Sequence, residues 1–176
     1  MSGDESAVTK RWRGRFYEDF EPGDVFASRL GRTITETDNT WFTTLTMNTN
    51  QIHFNRVYAE QSRFGQSLVV STLTLAVIVG LSVADTSENA VANLSWDDIQ
   101  LPNPVFAGDT LWAESEVLSR RESQTNDAVG IVSIRTRGVN QRREVVIEFL
   151  RTFMVPKRAA AVDVFPGTDD AWRVSP

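Results

Sequence analysis

Residues 68–84 form the one long, nearly uninterrupted apolar run in the chain, and something has to cover it. The run is close to the shortest length that crosses a bilayer as a helix. Against that reading, Ser71, Thr72, Thr74, Gly80 and Ser82 lie within it, no basic anchors flank it, and no second run of this kind follows. What does follow is a series of segments with β-branched and alternating residues: 89–94 and 99–101, interrupted by Asp97 and Asp98, then 111–121, 130–137 and 144–155. Strands of this kind have apolar faces that need a partner. A helix apolar nearly all round is itself buried. The two needs meet in a helix over about 70–83 with a sheet wrapped around it, an α+β arrangement without a membrane span. The β-branched content would also suit a strand, but the run is too long for a typical one. Leu73, Val77, Gly80 and Leu81 mark one candidate face, although almost every position is apolar.

Upstream of the run, Pro22-Gly23 signals a turn and residues 25–34 read as a first strand. Thr35 with Asp38 three residues later imitates a capping box and opens a helix whose buried side would be Trp41, Phe42 and Leu45. A short second helix is expected over 55–64, with Val57, Tyr58 and Gln61 at helical spacing and Gly65 ending it. Residues 138–141 read as the turn between the last two strands. The ends are polar or irregular, so the expected organisation is a tail over 1–13, one domain over 14–157 and a second tail over 158–176. No internal repeat is visible.

Composition narrows the function. A chain of 176 residues can bury one proper core. A net charge of −5 argues against nonspecific nucleic-acid binding, which needs a basic surface. With no cysteine and one histidine, disulfides, thiol nucleophiles and cysteine- or histidine-rich metal sites are excluded, so no metal is expected. The N-terminus lacks the basic-then-apolar order of a signal peptide, which makes the cytoplasm the expected location. Neither a Gly-rich phosphate loop nor a Gly-x-Ser-x-Gly elbow is present.

The solitary histidine, His53, sits in an amide-rich loop just before the apolar run, with Asn48 and Asn50 five and three positions ahead of it. Histidine titrates nearest neutrality of all side chains, so this loop is the first candidate for proton transfer. The plain alternative is a histidine that only hydrogen-bonds its loop. Asn48-Thr49-Asn50-Gln51-Ile52-His53 resembles the Asp-x-Asn-Pro-x-His signature of the MaoC-like, (R)-specific enoyl-CoA hydratase family. Tyr58-Ala59, Phe64-Gly65, the apolar run and Pro104-Val105-Phe106-Ala107-Gly108-Asp109-Thr110-Leu111 also fall where that family has them. The resemblance covers roughly residues 16–157. The stretch Asp85-Thr86-Ser87-Glu88-Asn89-Ala90-Val91-Ala92-Asn93-Leu94 is most similar to the branch with itaconyl-CoA and mesaconyl-CoA hydratases. Two positions depart from the signature: Asn48 replaces the usual catalytic aspartate and Gln51 replaces proline.

The resemblance implies a hotdog fold, an antiparallel sheet curled around a long central helix. It also implies a homodimer whose sheets join, compatible with a hexamer of three dimers, and an active site using both subunits. The implied activity is addition of water to a short enoyl-CoA, carboxylated or not, with CoA as part of the substrate and no further cofactor. His53 and Asn50 would hold and activate water, while Asn48, an amide, cannot accept a proton. His53 would then act alone, another carboxylate (Asp38 being nearest in sequence) would replace it, or the chain would be catalytically reduced. Val70, Ser71 and Thr72, at the start of the central helix, would offer backbone donors to the thioester oxygen. Ser71 stands where the family commonly has glycine. Arg56, Arg63 and Lys157 are candidates for the CoA phosphates. The competing readings are a hotdog acyl-CoA thioesterase and a noncatalytic acyl-CoA-binding subunit.

Overall fold

Alternation along three long strands sets the architecture of the computed structural model, which describes residues 12–162. In β4 (Thr110–Glu122), Leu111, Ala113, Ser115 and Val117 are buried while the residues between them face outward. β5 (Val129–Asn140) and β6 (Val145–Pro156) continue that inner face with Val132, Ile134, Ile147, Phe149 and Phe153. On the outer face, Glu114 and Glu148 flank Arg137 across neighbouring strands, and Arg137 Nε donates to Glu114 at 2.8 Å. Such cross-strand charge pairs belong on a solvated face. The sheet is antiparallel throughout, in the order β1-β4-β5-β6-β3, with β1 (Val25–Ala27) and β2 (Arg32–Thr33) both paired to β4 and β3 (Ala92–Gln100) on the far edge.

The expected central helix is α3 (Ser71–Thr86). It lies on the inner face, with Ile78 packed against Gly138 of β5 and Ile147 of β6. A second core cluster fills the other end of the sheet, where Phe20 meets Phe153 edge-to-face at 5.8 Å and packs with Val117, Val132 and Val155. No helix among the described residues is long and apolar enough to cross a membrane.

Several expectations need correction. The buried stripe of α3 runs through Leu73, Thr74, Ile78, Ser82 and Thr86, whereas Gly80 of the expected face is exposed. The polar members fit because Ser82 and Thr86 donate to carbonyls of their own helix, Val79 and Ser82, both at 2.7 Å. The single strand over 25–34 is two short ones. Ser28 Oγ breaks the run by donating to Leu30 O at 3.0 Å, and it also receives the Ala113 amide at 3.0 Å. In α1 (Glu36–Leu45), Trp41 and Leu45 are exposed, Phe42 is half-buried, and the buried residues are Asn39 and Thr43. The turn expected at 138–141 lies further on, because Asn140 Oδ1 receives the amides of Arg142 at 2.9 Å and Glu144 at 3.1 Å.

The capping box is present as read: Asp38 N–H donates to Thr35 Oγ1 at 3.1 Å and Thr35 N–H to Asp38 Oδ2 at 2.8 Å. The second helix, α2 (Arg56–Glu60), is shorter than expected and buries Ala59, with Val57 and Tyr58 exposed. The expected tails lie largely outside the described residues. Of the parts described, Trp12 Nε1 donates to Ala84 O at 3.2 Å and Arg158–Ala160 make a 3-10 turn.

The approach of α3 to the sheet depends on Gly138. A Cβ there would lie 2.6 Å from Ile78 Cδ1 and 2.9 Å from Ile147 Cγ2. Overpacking of this kind typically costs about 1–3 kcal/mol. Gly138→Val is expected to lower unfolding stability by that order, as measured by urea titration.

Candidate active site

The loop between α1 and α3 is built by its own amides. After Met47 at φ 55, the Asn48 amide closes onto Thr43 O at 3.0 Å. Asn48 Oδ1 then receives Asn50 N–H at 3.0 Å, and Asn50 Oδ1 receives Ile52 N–H at 3.3 Å, capping the 3-10 turn Gln51–His53. Gln51 Oε1 receives Asn55 Nδ2 at 2.6 Å, and Asn55 Oδ1 caps α2 through Tyr58 N–H at 3.2 Å. Side chains that bond nearby backbone in this way favour caps and turns over regular structure. Asn48 and Asn50 therefore shape the loop that carries His53.

His53 is buried, and its Nδ1 lies 2.8 Å from the Leu68 carbonyl oxygen. A carbonyl only accepts, so Nδ1 carries a ring hydrogen, and in the neutral ring the lone pair is on Nε2. The ring lines a cavity of about 190 Å³ together with Glu36, Thr40, Arg56, Gln66 and Ser67. A second cavity, of about 240 Å³, is lined by Arg63, Leu68, Ser71, Thr74 and Asn103. The segment 65–70 contributes to the walls of both. From residue 67 onward it is extended: Leu68 bridges Phe106 and the Val69 amide donates to Val105 O at 2.9 Å.

The start of α3 matches what an oxyanion would need. Val70, the N-cap residue, supplies no side-chain cap, and its own amide is taken by Asn39 Oδ1 at 2.9 Å. The amides of Ser71 and Thr72 follow in the first turn, where no intrahelical acceptor exists. Val70 is buried, while Ser71 and Thr72 are exposed.

The structure thus brings His53, Ser71, Arg56 and Arg63 to the two cavities flanking one strip of backbone. Asn48 and Asn50 line neither cavity. Arg56 pairs loosely with Glu60 at 3.9 Å, and Arg63 stacks 4.7 Å from the Phe64 ring. Lys157 is not brought there. It pairs with Glu122 at 3.1 Å just past β6, while the opposite end of β6 reaches the second cavity through Asn103 Nδ2 bonded to Val145 O at 2.8 Å. At about 3.3 Å per residue, roughly 35 Å of strand separates the two ends.

Asn39 was not among the residues singled out from sequence. It is buried in α1 and donates from Nδ2 to His53 O at 2.7 Å and to Leu68 O at 3.1 Å. Asparagine inside a helix has a poor propensity, which is the signal that could have drawn attention to it.

With the geometry in place, the comparisons decide the family. The family model described as mesaconyl-CoA hydratase matches residues 4–171. The chain belongs to the mesaconyl-CoA hydratase family. The mesaconyl-CoA hydratase of Cereibacter sphaeroides is 35% identical over 148 residues, covering 84% of this chain and 43% of that protein. A solved MaoC domain dehydratase from Chloroflexus aurantiacus superposes with a TM-score of 0.82 at 31% identity, over 92% of this chain and 46% of that one. A Mycobacterium tuberculosis protein with a double hotdog fold superposes with a TM-score of 0.76 at 21% identity, over 88% of this chain and 47% of that one. The architecture is accordingly the hotdog fold, and the chain spans about half the length of these relatives.

Two carboxylates support this family site without lining its cavities. Asp38 receives Thr35 N–H and Oγ1 and pairs with Arg32 at 2.7 Å. The backbone hydrogen bond from Thr35, then its hydroxyl and Arg32, outweigh desolvation and hold the Asp38 carboxyl below its ordinary pKa. It is a helix cap rather than a replacement base. Asp109 is buried. Burial pushes its pKa up, but hydrogen bonds from Gln141 at 2.6 Å, the Phe106 amide at 2.9 Å and Arg142 at 2.9 Å outweigh this and leave it lowered.

A lowered folded-state pKa makes the ionised Asp109 a source of stability above the unfolded value of about 3.9. That stability is lost as pH falls through the folded value. Melting temperature measured from pH 7 to pH 3 should therefore fall less steeply below pH 4 in Asp109→Asn than in the parent. At pH 7 the variant should melt lower.

Proposed function

We propose that the protein hydrates a short enoyl-CoA thioester, and catalyses the reverse dehydration, with mesaconyl-CoA or another carboxylated acyl group as the preferred substrate. The observation that carries this reading is His53, its Nδ1 fixed by Leu68 O and its backbone tied through Asn39 to the N-cap of α3. The name of the Cereibacter sphaeroides relative supports the acyl group.

In this reading a water oxygen bonds to the β-carbon as its proton passes to His53 Nε2. The electron pair of the carbon–carbon double bond shifts toward the thioester oxygen, where the Ser71 and Thr72 amides receive the developing charge. Reprotonation at the α-carbon, with the proton returned from the site, gives the 3-hydroxyacyl-CoA. Asn48 Oδ1 and Asn50 Oδ1 hold the loop rather than take a proton, and the reading assigns the base to His53 rather than to Glu36 of the same cavity because the Leu68 carbonyl fixes the ring. Arg56 and Arg63, at the two cavities, are the proposed partners of the CoA phosphates.

The functional unit we propose is a homodimer in the cytoplasm. The relatives carry about twice the length, so a second copy would supply the other hotdog unit. The β3 edge supports this: Leu94, Trp96 and Ile99 on it, and Leu101 beyond it, are exposed. An exposed apolar edge strand invites pairing.

Incubation with crotonyl-, mesaconyl- and itaconyl-CoA tests the activity. Loss of enoyl absorbance is expected, with free thiol instead marking a thioesterase and saturable binding without turnover a binding subunit. His53→Ala should lower kcat by about 10²–10⁴-fold while circular dichroism stays unchanged. Near-normal turnover in that variant would remove His53 from the mechanism. Sedimentation should give the mass of two chains, and Trp96→Asp should shift it toward one.

A further inference from the structure

Asn39 makes three hydrogen bonds to three backbone groups that belong to both halves of the site. Its Nδ2 donates to His53 O at 2.7 Å and Leu68 O at 3.1 Å, and its Oδ1 receives Val70 N–H at 2.9 Å. The side chain is only 3% exposed, so water does not substitute for these partners at low cost. Both amide hydrogens and the amide oxygen are engaged. Among side chains of this length, aspartate supplies no donor and leucine supplies neither donor nor acceptor. The Leu68 carbonyl that receives Asn39 also receives His53 Nδ1 at 2.8 Å. One oxygen thus fixes the ring, and one amide fixes that oxygen.

Asn39 is anchored on α1, whose start is locked by the Thr35–Asp38 box and by Arg32. A second bond within α1, Thr43 Oγ1 to Asn39 O at 2.6 Å, adds to that hold. The amide therefore acts as a strut from a fixed helix to the base on one side and to the N-cap of α3 on the other. Its reach sets the spacing between the proton acceptor and the donors of the first turn.

Resting on the hydratase reading above, we infer that Asn39 is the positioning residue of the reaction, holding His53 in its Nδ1–H form at a fixed distance from the start of α3. Asn39 borders the His53 cavity, but its amide hydrogens and oxygen are all committed to backbone partners, so it acts through His53, Leu68 and Val70. Removing the strut leaves the CoA contacts in place and loosens the geometry on which turnover depends, an effect on the order of 10–100-fold in rate.

His53 is the only histidine in the chain, so the imidazole signals of untagged, ¹⁵N-labelled protein report it without assignment. At pH above the ring's titration, the parent is expected to show a protonated Nδ1 and an unprotonated Nε2. Asn39→Ala and Asn39→Asp are expected to show averaged or reversed ring-nitrogen shifts. Their kcat on the best enoyl-CoA should fall at least tenfold, with KM changed less than threefold. Asn39→Asp keeps the volume and the acceptor for Val70 N–H, and it carries the test should Asn39→Ala not fold. A parent ring protonated at Nε2 would overturn the inference whatever the variants do. So would folded variants with parental ring signals and parental kcat. If the parent hydrates none of the thioesters, the hydratase reading fails by itself and the ring spectra alone decide: altered signals in the variants support the strut, and unaltered ones sink it.

Discussion

The site depends on a short length of extended backbone, residues 67–70, laid against the stretch before β4. The Val69 amide reaches Val105 O at 2.9 Å, Leu68 bridges Phe106, and the Leu68 amide reaches Ile52 O at 3.2 Å. These bonds orient the Leu68 carbonyl toward His53 and deliver the chain into the first turn of α3. The support beneath is equally specific. Gly108, at φ +96, lets the turn close so that its amide meets Ile34 O at 2.7 Å, and the Ile34 amide meets Asp109 O at 2.9 Å. Positive φ is readily adopted only by glycine. Asp109 then ties the Phe106 amide to Gln141 and Arg142. A buried carboxylate with three partners is stable, and a half-satisfied one would not be. The motif over 104–111 thus supports the strip that holds the His53 ring, and its Pro104, Val105 and Ala107 line the two cavities.

How much of this was legible in the sequence follows from what each element packs against. β4 and β6 alternate cleanly because one face meets apolar side chains and the other meets water, and their expected spans fall within a residue or two of those observed. The Thr35–Asp38 cap is a local interaction and was readable for that reason. α1 was misread in its burial. Its apolar Trp41 and Leu45 face outward, while Asn39 and Thr43 face inward. The helix packs against loop backbone, whose partners must be polar, and hydrophobic periodicity carries no such information. α3 defied a facial reading for the opposite reason, since nearly every position is apolar and the sheet covers only part of it. The His53 loop was legible as a site through its unusual amides. That Asn48 and Asn50 serve the backbone depends on distances no spacing rule provides.

The two ends of α3 are treated differently: one is closed by donors and the other is left open. No basic residue lies in the helix's own last turn, so tertiary neighbours supply the positive charge and the donors. Trp12 Nε1 donates to Ala84 O at 3.2 Å, and Arg15 Nε donates to Asp85 O at 2.7 Å. Arg151, buried beside the C-cap, donates to Ser87 Oγ at 3.0 Å and to Asn93 Oδ1 at 2.8 Å. Among the described residues none of its hydrogen bonds goes to a carboxylate, its guanidinium lies 5.3 Å from the centre of the Phe153 ring, and burial lowers its pKa. A buried cation without a counter-ion is costly, and the negative end of a helix dipole is a setting that reduces the cost. At the other end, the only side-chain bond to the cap among the described residues is Asn39 to Val70. The carbonyl end of the helix is closed by donors, and the amide end is left open. The open end therefore offers free donors and the positive end of the dipole, and Asn39 ties it to the backbone of His53.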